Sequence, residues 1–340
     1  MKAIKYLLFA ILILVIGISI YIAVQPNSFE VKRTRTINAP SAVIYNNVID
    51  FKNWEAWSSW VEKDPETVIT LGDTTAGVGG SYSWVDSHGL GKMTTLATNP
   101  NQSIEQELQF EDFEPSKITW NFEPTDDGKT NVTWKMNSEK VPFMFKANAL
   151  LKGGFDNMIG PDFERGLEKL DSLIVESMMK YSVKVDGIAN HGGGYFIYNT
   201  TSCKMDDIEA KMTEMLSKIG SYAMKNRIAM AGAPYVNYHK WDEANNAVIF
   251  SCCIPTTNQV ITTESDILSG QLEPFKAVKT TLKGNYTNLK EAWDETFKYI
   301  ENYQLVPKET GPMLEVYLTD PESKPNPADW ITEIYIAIEE

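Results

Sequence analysis

The chain opens on an uninterrupted apolar run, with no charged residue from Tyr6 to Val24. At 1.5 Å per helical residue such a run approaches the ~30 Å thickness of a bilayer's hydrocarbon core. Lys2 and Lys5 precede it, and Gln25-Pro26-Asn27-Ser28 ends it. A secretory signal has a shorter apolar core followed by a small-residue cleavage site. No A-x-A pattern follows here and no cysteine is placed for lipid attachment, so the pattern predicts an uncleaved single-pass anchor in the cell membrane through residues 6–24. Lys2 and Lys5 favour an inside N-terminus and place the remaining chain on the extracytoplasmic side, whereas Lys32, Arg33 and Arg35 pull the other way.

Beyond the anchor the periodicity changes twice. Val31–Ile37 alternates as a strand, Asn38-Ala39-Pro40-Ser41 starts a short helix to Ile49, and a series of alternating segments follows. These are Val68–Leu71, Ser81–Val85, Gly91–Ala97, Ser103–Phe110, Lys117–Phe122 and Thr130–Met136, separated by turn residues such as Asn99-Pro100-Asn101 and Asp126-Asp127-Gly128. Phe163, Leu167, Leu170, Ile174 and Met178 then recur at helical spacing, which predicts one long amphipathic helix. The remainder reads as a duplicated β-α-β-β unit. Strand Gly194–Cys203, helix Asp206–Asn226 and strands Tyr235–Trp241 and Ala247–Ile254 make the first copy. Strand Ala277–Tyr286, helix Leu289–Tyr303 and strands Met313–Leu318 and Thr332–Ile338 make the second. The apolar stripes are Ile208, Met212, Met215 and Ile219 on the first helix, and Leu289, Trp293, Phe297 and Ile300 on the second. The chain is therefore expected to be α+β: an anchor over residues 1–27, a sheet with a long closing helix over 28–179, and the duplicated domain over 180–340.

Composition narrows the function. A net charge of −14 argues against a nucleic-acid partner, which needs a basic face. Cys203, Cys252 and Cys253 lack metal-ligand spacing, and His88, His191 and His239 are far apart, so neither a metal nor a cofactor is expected. The chemistry that stands out lies near the C-terminus. In period two, Glu315 and Tyr317 fall on one face of their strand against Leu314, Val316 and Leu318 on the other. Glu333 and Tyr335 alternate in the same way against Ile334, Ile336 and Ile338. The pattern predicts two strands that each turn an aliphatic face to a core and a carboxylate-plus-tyrosine face to a small molecule. Rings attract cations and the acid supplies the counter-charge. A solvated carboxylate on an open sheet face is the plainer alternative for Glu315.

Gly284-Asn285-Tyr286, the following helix with Trp293, the Glu315-Val316-Tyr317 strand with its Asp320-Pro321, and the closing Thr332-Glu333-Ile334 strand together resemble the GyrI-like effector-binding family. This is the ligand-sensing module found also in multidrug-responsive and AraC-type bacterial regulators. The resemblance implies a ligand pocket with Glu315 at its centre and Tyr286 in its wall, with Tyr317, Trp293, Glu333 and Tyr335 as further ligand-binding candidates. Regulators of that family carry a helix-turn-helix domain, and none is visible here. The strand, short helices, consecutive antiparallel sheet and long helix of 28–179, with Asn38-Ala39-Pro40-Ser41 and the Phe51–Trp57 run, resemble the SRPBCC superfamily. This is the helix-grip fold of polyketide cyclases and START-like lipid carriers. That resemblance implies a cavity between sheet and helix, with some of Trp57, Trp84, Trp120 and Trp134 near it. Ordinary core tryptophans are the alternative.

Three functions stay open on the sequence. One is a membrane-tethered protein that binds or senses small hydrophobic or cationic amphiphilic molecules. The second is a hydrolase acting on a small electrophile through Glu315 as the catalytic candidate. The third is a chaperone-activator-like interaction protein.

Overall fold

A computed structural model describes residues 2–319, 321 and 323–339, so Asp320 of the Asp-Pro pair and the terminal Glu340 lie outside the described residues. The chain divides into two compact units between Ser177 and Met178.

The N-terminal unit begins with the apolar helix α1 (Lys2–Ala23), followed by β1 (Phe29–Ile37), α2 (Ser41–Ile49) and the short helices α3 (Trp54–Trp57) and α4 (Ser59–Lys63). Then come β2 (Val68–Leu71), β3 (Ser81–Asp86), β4 (Gly89–Asn99), β5 (Ser103–Phe110), β6 (Ser116–Pro124) and β7 (Thr130–Ser138), and finally α5 (Phe143–Leu151) and α6 (Phe155–Met178). The seven strands form one antiparallel sheet in the order β1-β7-β6-β5-β4-β3-β2. Helix α1 is long and apolar enough to cross a membrane, as a span or a signal sequence would be, and none of its Ala3–Ala23 stretch is buried. Period-two alternation turns Ile118, Trp120 and Phe122 of β6 and Val132, Trp134 and Met136 of β7 inward. There they meet Phe163, Leu167, Leu170 and Ile174, the predicted stripe of α6. Trp134 stacks on Phe163 at 4.1 Å between centroids and on Trp120 at 4.4 Å. Each such ring pair contributes about 0.5–1.5 kcal/mol beyond its buried area. Trp57 is buried with them, while Trp84 lies half-buried on β3, its ring so close to Gly91 that a Cβ there would meet it at 2.1 Å. The two arginines after the span are tied into the fold: Arg33 pairs with Asp156 and Glu164, and Arg35 with Asp171, all on α6.

The C-terminal unit comprises β8 (Ser182–His191), β9 (Gly194–Lys204), α7 (Ile208–Lys225), β10 (Tyr235–Asp242), β11 (Ala247–Thr256) and β12 (Leu268–Leu272). It continues with β13 (Phe275–Lys283), α8 (Leu289–Asn302), β14 (Met313–Tyr317) and β15 (Ile331–Ala337). Its eight strands run β12-β9-β11-β10-β14-β15-β13-β8. The inner six show the duplication directly: β9-β11-β10 from the first copy is mirrored by β14-β15-β13 from the second, and the copies meet where β10 pairs with β14. Helix α7 packs Met215, Ile219 and Tyr222 onto Ile197, Val236, Phe250 and Cys252. Helix α8 packs Ala292 and Ile300 onto Val278, Leu282, Ile334 and Ile336. The α8 stripe is rotated from the expected one: Ala292, Thr296 and Ile300 are buried, Thr296 donating to Thr280 Oγ1 at 2.7 Å, while Phe297 is exposed. Strands β8 and β12 extend the duplicated core at its two edges.

Candidate functional site

Strand β14 lies at the seam of the duplication. Its register sets Glu315 opposite Val236 on β10 and Ile334 on β15, both of them residues of the helix-covered face. Glu315 therefore enters the space beneath α8 and is 3% exposed. Three side chains donate to it: Trp293 Nε1–H of α8 to Oε1 at 2.5 Å, Tyr317 O–H to Oε2 at 2.7 Å and Tyr238 O–H of β10 to Oε2 at 3.1 Å. All three donors are neutral. A buried carboxylate without a cation is costly, and donors offset only part of that cost. Burial pushes the Glu315 pKa above the ordinary carboxylate value, with the bonds from Trp293, Tyr317 and Tyr238 pulling the other way. The Tyr238 and Tyr317 hydroxyls are pushed well up, by burial first and then by the adjacent Glu315 charge, so both remain donors.

Rings continue outward from the carboxylate. Tyr238 meets Trp293 edge-to-face at 5.7 Å, Tyr317 meets Tyr286 edge-to-face at 5.5 Å, and Tyr286 lies 4.6 Å from Trp330. Gly284 makes this arrangement possible: its φ is +134°, and a Cβ would meet that of Tyr181 at 2.3 Å. The chain turns there, and Tyr286 opens a helical turn (Tyr286–Asn288) instead of ending the strand. The structure thus brings together Glu315, Tyr317, Trp293 and Tyr286.

It does not bring Glu333 and Tyr335 to them. The β14–β15 register pairs Val316 with Glu333 and Leu314 with Tyr335. The polar face of β15 is therefore continuous with the aliphatic face of β14, opposite the one that Glu315 uses. There Glu333 has a cation of its own, Lys279 Nζ at 2.6 Å, and accepts from Tyr335 O–H at 2.7 Å, with Lys279 Nζ 5.7 Å from the Tyr335 ring centroid. His191 completes this cluster, stacked on Phe275 and edge-on to Tyr335, its pKa lowered by burial with the Glu333 charge opposing. The shared carboxylate-tyrosine face expected for the two strands is corrected by register. Alternation fixes which residues of one strand go together, but a one-residue offset between partners exchanges faces.

Two residues of the site went unassigned in the sequence. Tyr238 is two positions from Val236 on the strand paired with β14, so its role follows once that pairing is known. Trp330, fixed by its indole N–H donating to the Lys324 carbonyl at 2.7 Å, extends the ring wall from the β15 side. Among the described residues, no three His, Cys, Asp or Glu are gathered as a metal site requires.

These features define a two-domain protein of ligand-binding type. Residues 28–175 match the family model described as polyketide cyclase / dehydrase and lipid transport, and residues 195–339 match the GyrI-like small molecule binding domain. The first match falls on the helix-grip domain and the second on the duplicated domain, and both domains are of small-molecule-binding types. No curated protein matches the chain. Among solved structures it is similar to the C-terminal domain of EcmrR, at 18% identity and a TM-score of 0.41, over 48% of this chain and 99% of that one. It is similar to CV1439 from Chromobacterium violaceum at 17% identity and 0.33, over 44% and 96%. For TTHA0849 from Thermus thermophilus the values are 18% and 0.34, over 44% and 98%.

Proposed function

We propose that this chain is a membrane-tethered binding or sensing protein for hydrophobic or cationic amphiphilic small molecules. Residues 1–27 serve as anchor, 28–179 as the helix-grip domain and 180–340 as the effector-binding domain, on the extracytoplasmic side. The observation that carries this reading is Glu315: a buried carboxylate held by three neutral donors and walled by Trp293, Tyr317, Tyr286 and Tyr238. A lipophilic cation supplies the missing counter-charge, and its apolar groups match the rings. With a net charge of −14, the ligand signal is not passed to DNA by this chain.

The test is Glu315→Gln in the full-length protein, with tetraphenylphosphonium as probe. Loss of the charge should weaken binding by about 1–3 kcal/mol, the range for a buried charged contact. Unchanged affinity would refute the cation reading. One observation keeps the hydrolase reading alive: burial raises the Glu315 pKa, and a more basic carboxylate suits a residue that takes up a proton. In that case Glu315→Gln leaves binding of a small strained electrophile intact and abolishes its turnover.

A further inference from the structure

Helix α5 is turned inside out. Its one charged residue, Lys146, is 4% exposed, while Phe143, Met144 and Leu151 are 43%, 73% and 87% exposed. A helix bordering water does the reverse, burying its apolar side chains and leaving its lysine outside. The reversed pattern fits a helix whose outer surroundings are not water.

What the lysine does inside fixes where the helix lies. Lys146 Nζ donates to the Gln25 carbonyl at 2.9 Å and to Asn27 Oδ1 at 2.5 Å, and the Val141 N–H donates to the Asn27 carbonyl at 2.9 Å. Gln25 and Asn27 directly follow the apolar run, so α5 is fastened at the level where α1 ends. Phe29 of β1 stacks on Phe155 at 4.4 Å, and Phe145 meets these two rings at 6.4 and 5.9 Å, which holds α5 against the sheet. The lysines Lys140 and Lys152 flank the helix and are exposed. Asp112, Glu114 and Glu139 gather beside Asn27 and Pro142, a polar rim that limits how deep this end of the domain can enter lipid.

We propose that α5 is a second membrane contact. It is an interfacial helix whose Phe143, Met144 and Leu151 enter the bilayer that α1 spans, so the helix-grip domain is seated on the lipid surface instead of held away on a stalk. The proposal rests on the anchor reading of α1 and commits to lipid as the occupant, because α5, whose outer face is apolar, is hydrogen-bonded through its buried Lys146 to Gln25, two residues past the exposed apolar helix α1.

The test uses the full-length chain in phosphatidylcholine–phosphatidylglycerol vesicles, in a Cys203→Ala background that leaves the fully buried Cys252 and Cys253. Single cysteines at Met144→Cys and Leu151→Cys carry an environment-sensitive fluorophore, with nitroxide lipids as quencher. Ile13→Cys in the span is the positive control. Asp126→Cys is the negative one: it lies at the other end of β7 from Ser138, the partner of Phe29, about 30 Å away along the strand. The expected result is a blue shift at both α5 positions with quenching by headgroup-proximal nitroxides, and quenching at Ile13 by nitroxides deep in the acyl chains, against none at Asp126 with either quencher. Quenching at Ile13 with bright, unshifted probes on α5 overturns this proposal and leaves the anchor standing. No quenching at Ile13 removes the anchor and the proposal together. A blue shift on α5 without lipid quenching means that protein, such as a second copy of the chain, covers the helix, and it also overturns the proposal.

Discussion

The hydroxyl of Tyr238 donates to Oε2 of Glu315 at 3.1 Å, and this single bond crosses the seam between the two β-α-β-β copies. The other two donors, Trp293 and Tyr317, belong to the second copy, so Tyr238 is the first copy's hold on the carboxylate. Tyr238→Phe keeps the ring and removes the bond. It should cost about 1–2 kcal/mol of stability at neutral pH in denaturant titrations. In a double-mutant cycle with Glu315→Gln the effects should be non-additive by about 0.5 kcal/mol or more. Additive effects would mean the bond contributes nothing.

Glu315 also sets a pH dependence whose sign can be worked out. Its pKa is raised in the folded protein above the ordinary value of 4.5, so the folded state prefers the protonated acid. The associated stability is complete below about pH 4.5 and is lost as pH rises through the folded-state pKa. Glu315→Gln should therefore gain melting temperature relative to the unaltered protein as pH is raised above 4.5 through the folded-state pKa, as differential scanning calorimetry would show. Cation binding requires the ionised form, so tetraphenylphosphonium affinity should rise over the same interval and flatten in Glu315→Gln.

The Lys279–Glu333 pair should be silent in ligand binding. Glu333→Gln alters the face opposite Glu315, at a pair whose side chains are 24% and 15% exposed. It should cost about 1–3 kcal/mol of stability, because Lys279 is left without its partner charge. Tetraphenylphosphonium affinity by calorimetric titration should not move. A tenfold loss would place the ligand on the wrong face of the sheet.

Membrane association should survive high salt and alkaline carbonate, because α1 is apolar from Tyr6 to Ala23 and α5 is fastened to the segment that follows it. Release of a mature chain beginning near Gln25 or Ser28 would instead identify a cleaved signal.

Detergent-solubilised full-length protein should not shift duplex DNA at moderate salt. Micromolar binding that weakens steeply with salt would signal the phosphate contacts that the charge of −14 argues against.

How far the fold could be read depended on the environment of each segment. Val68–Leu71 and Ser103–Phe110 were legible to the residue, and the duplication was visible because each copy repeats a helical stripe between alternating strands. Strands β8 and β12 were not read, for physical reasons: both are edges of the sheet, β8 presents mostly half-exposed and exposed positions and bends at Gly187, and β12 is five residues with a glycine in the middle. Helix α5 escaped because its outward face is the apolar one, so no stripe contrasts with a polar side. At the candidate site, Glu315, Tyr317, Trp293 and Tyr286 could be named from local pattern and resemblance. Tyr238 and the exclusion of Glu333 could not, since both depend on strand pairing between residues far apart in sequence.

The stacked interior of the helix-grip domain has an optical consequence. Six of the nine tryptophans lie in the N-terminal unit, and four of those are packed with Trp54–Trp57 and Trp120–Trp134 centroids 4.7 and 4.4 Å apart. Indoles this close couple their excited states, so the exciton features of the near-ultraviolet circular dichroism belong to that unit. The chain thus carries a built-in spectroscopic division: its collective tryptophan signal follows the integrity of the helix-grip core, while events at Glu315 register mainly through Trp293, whose indole touches the carboxylate itself.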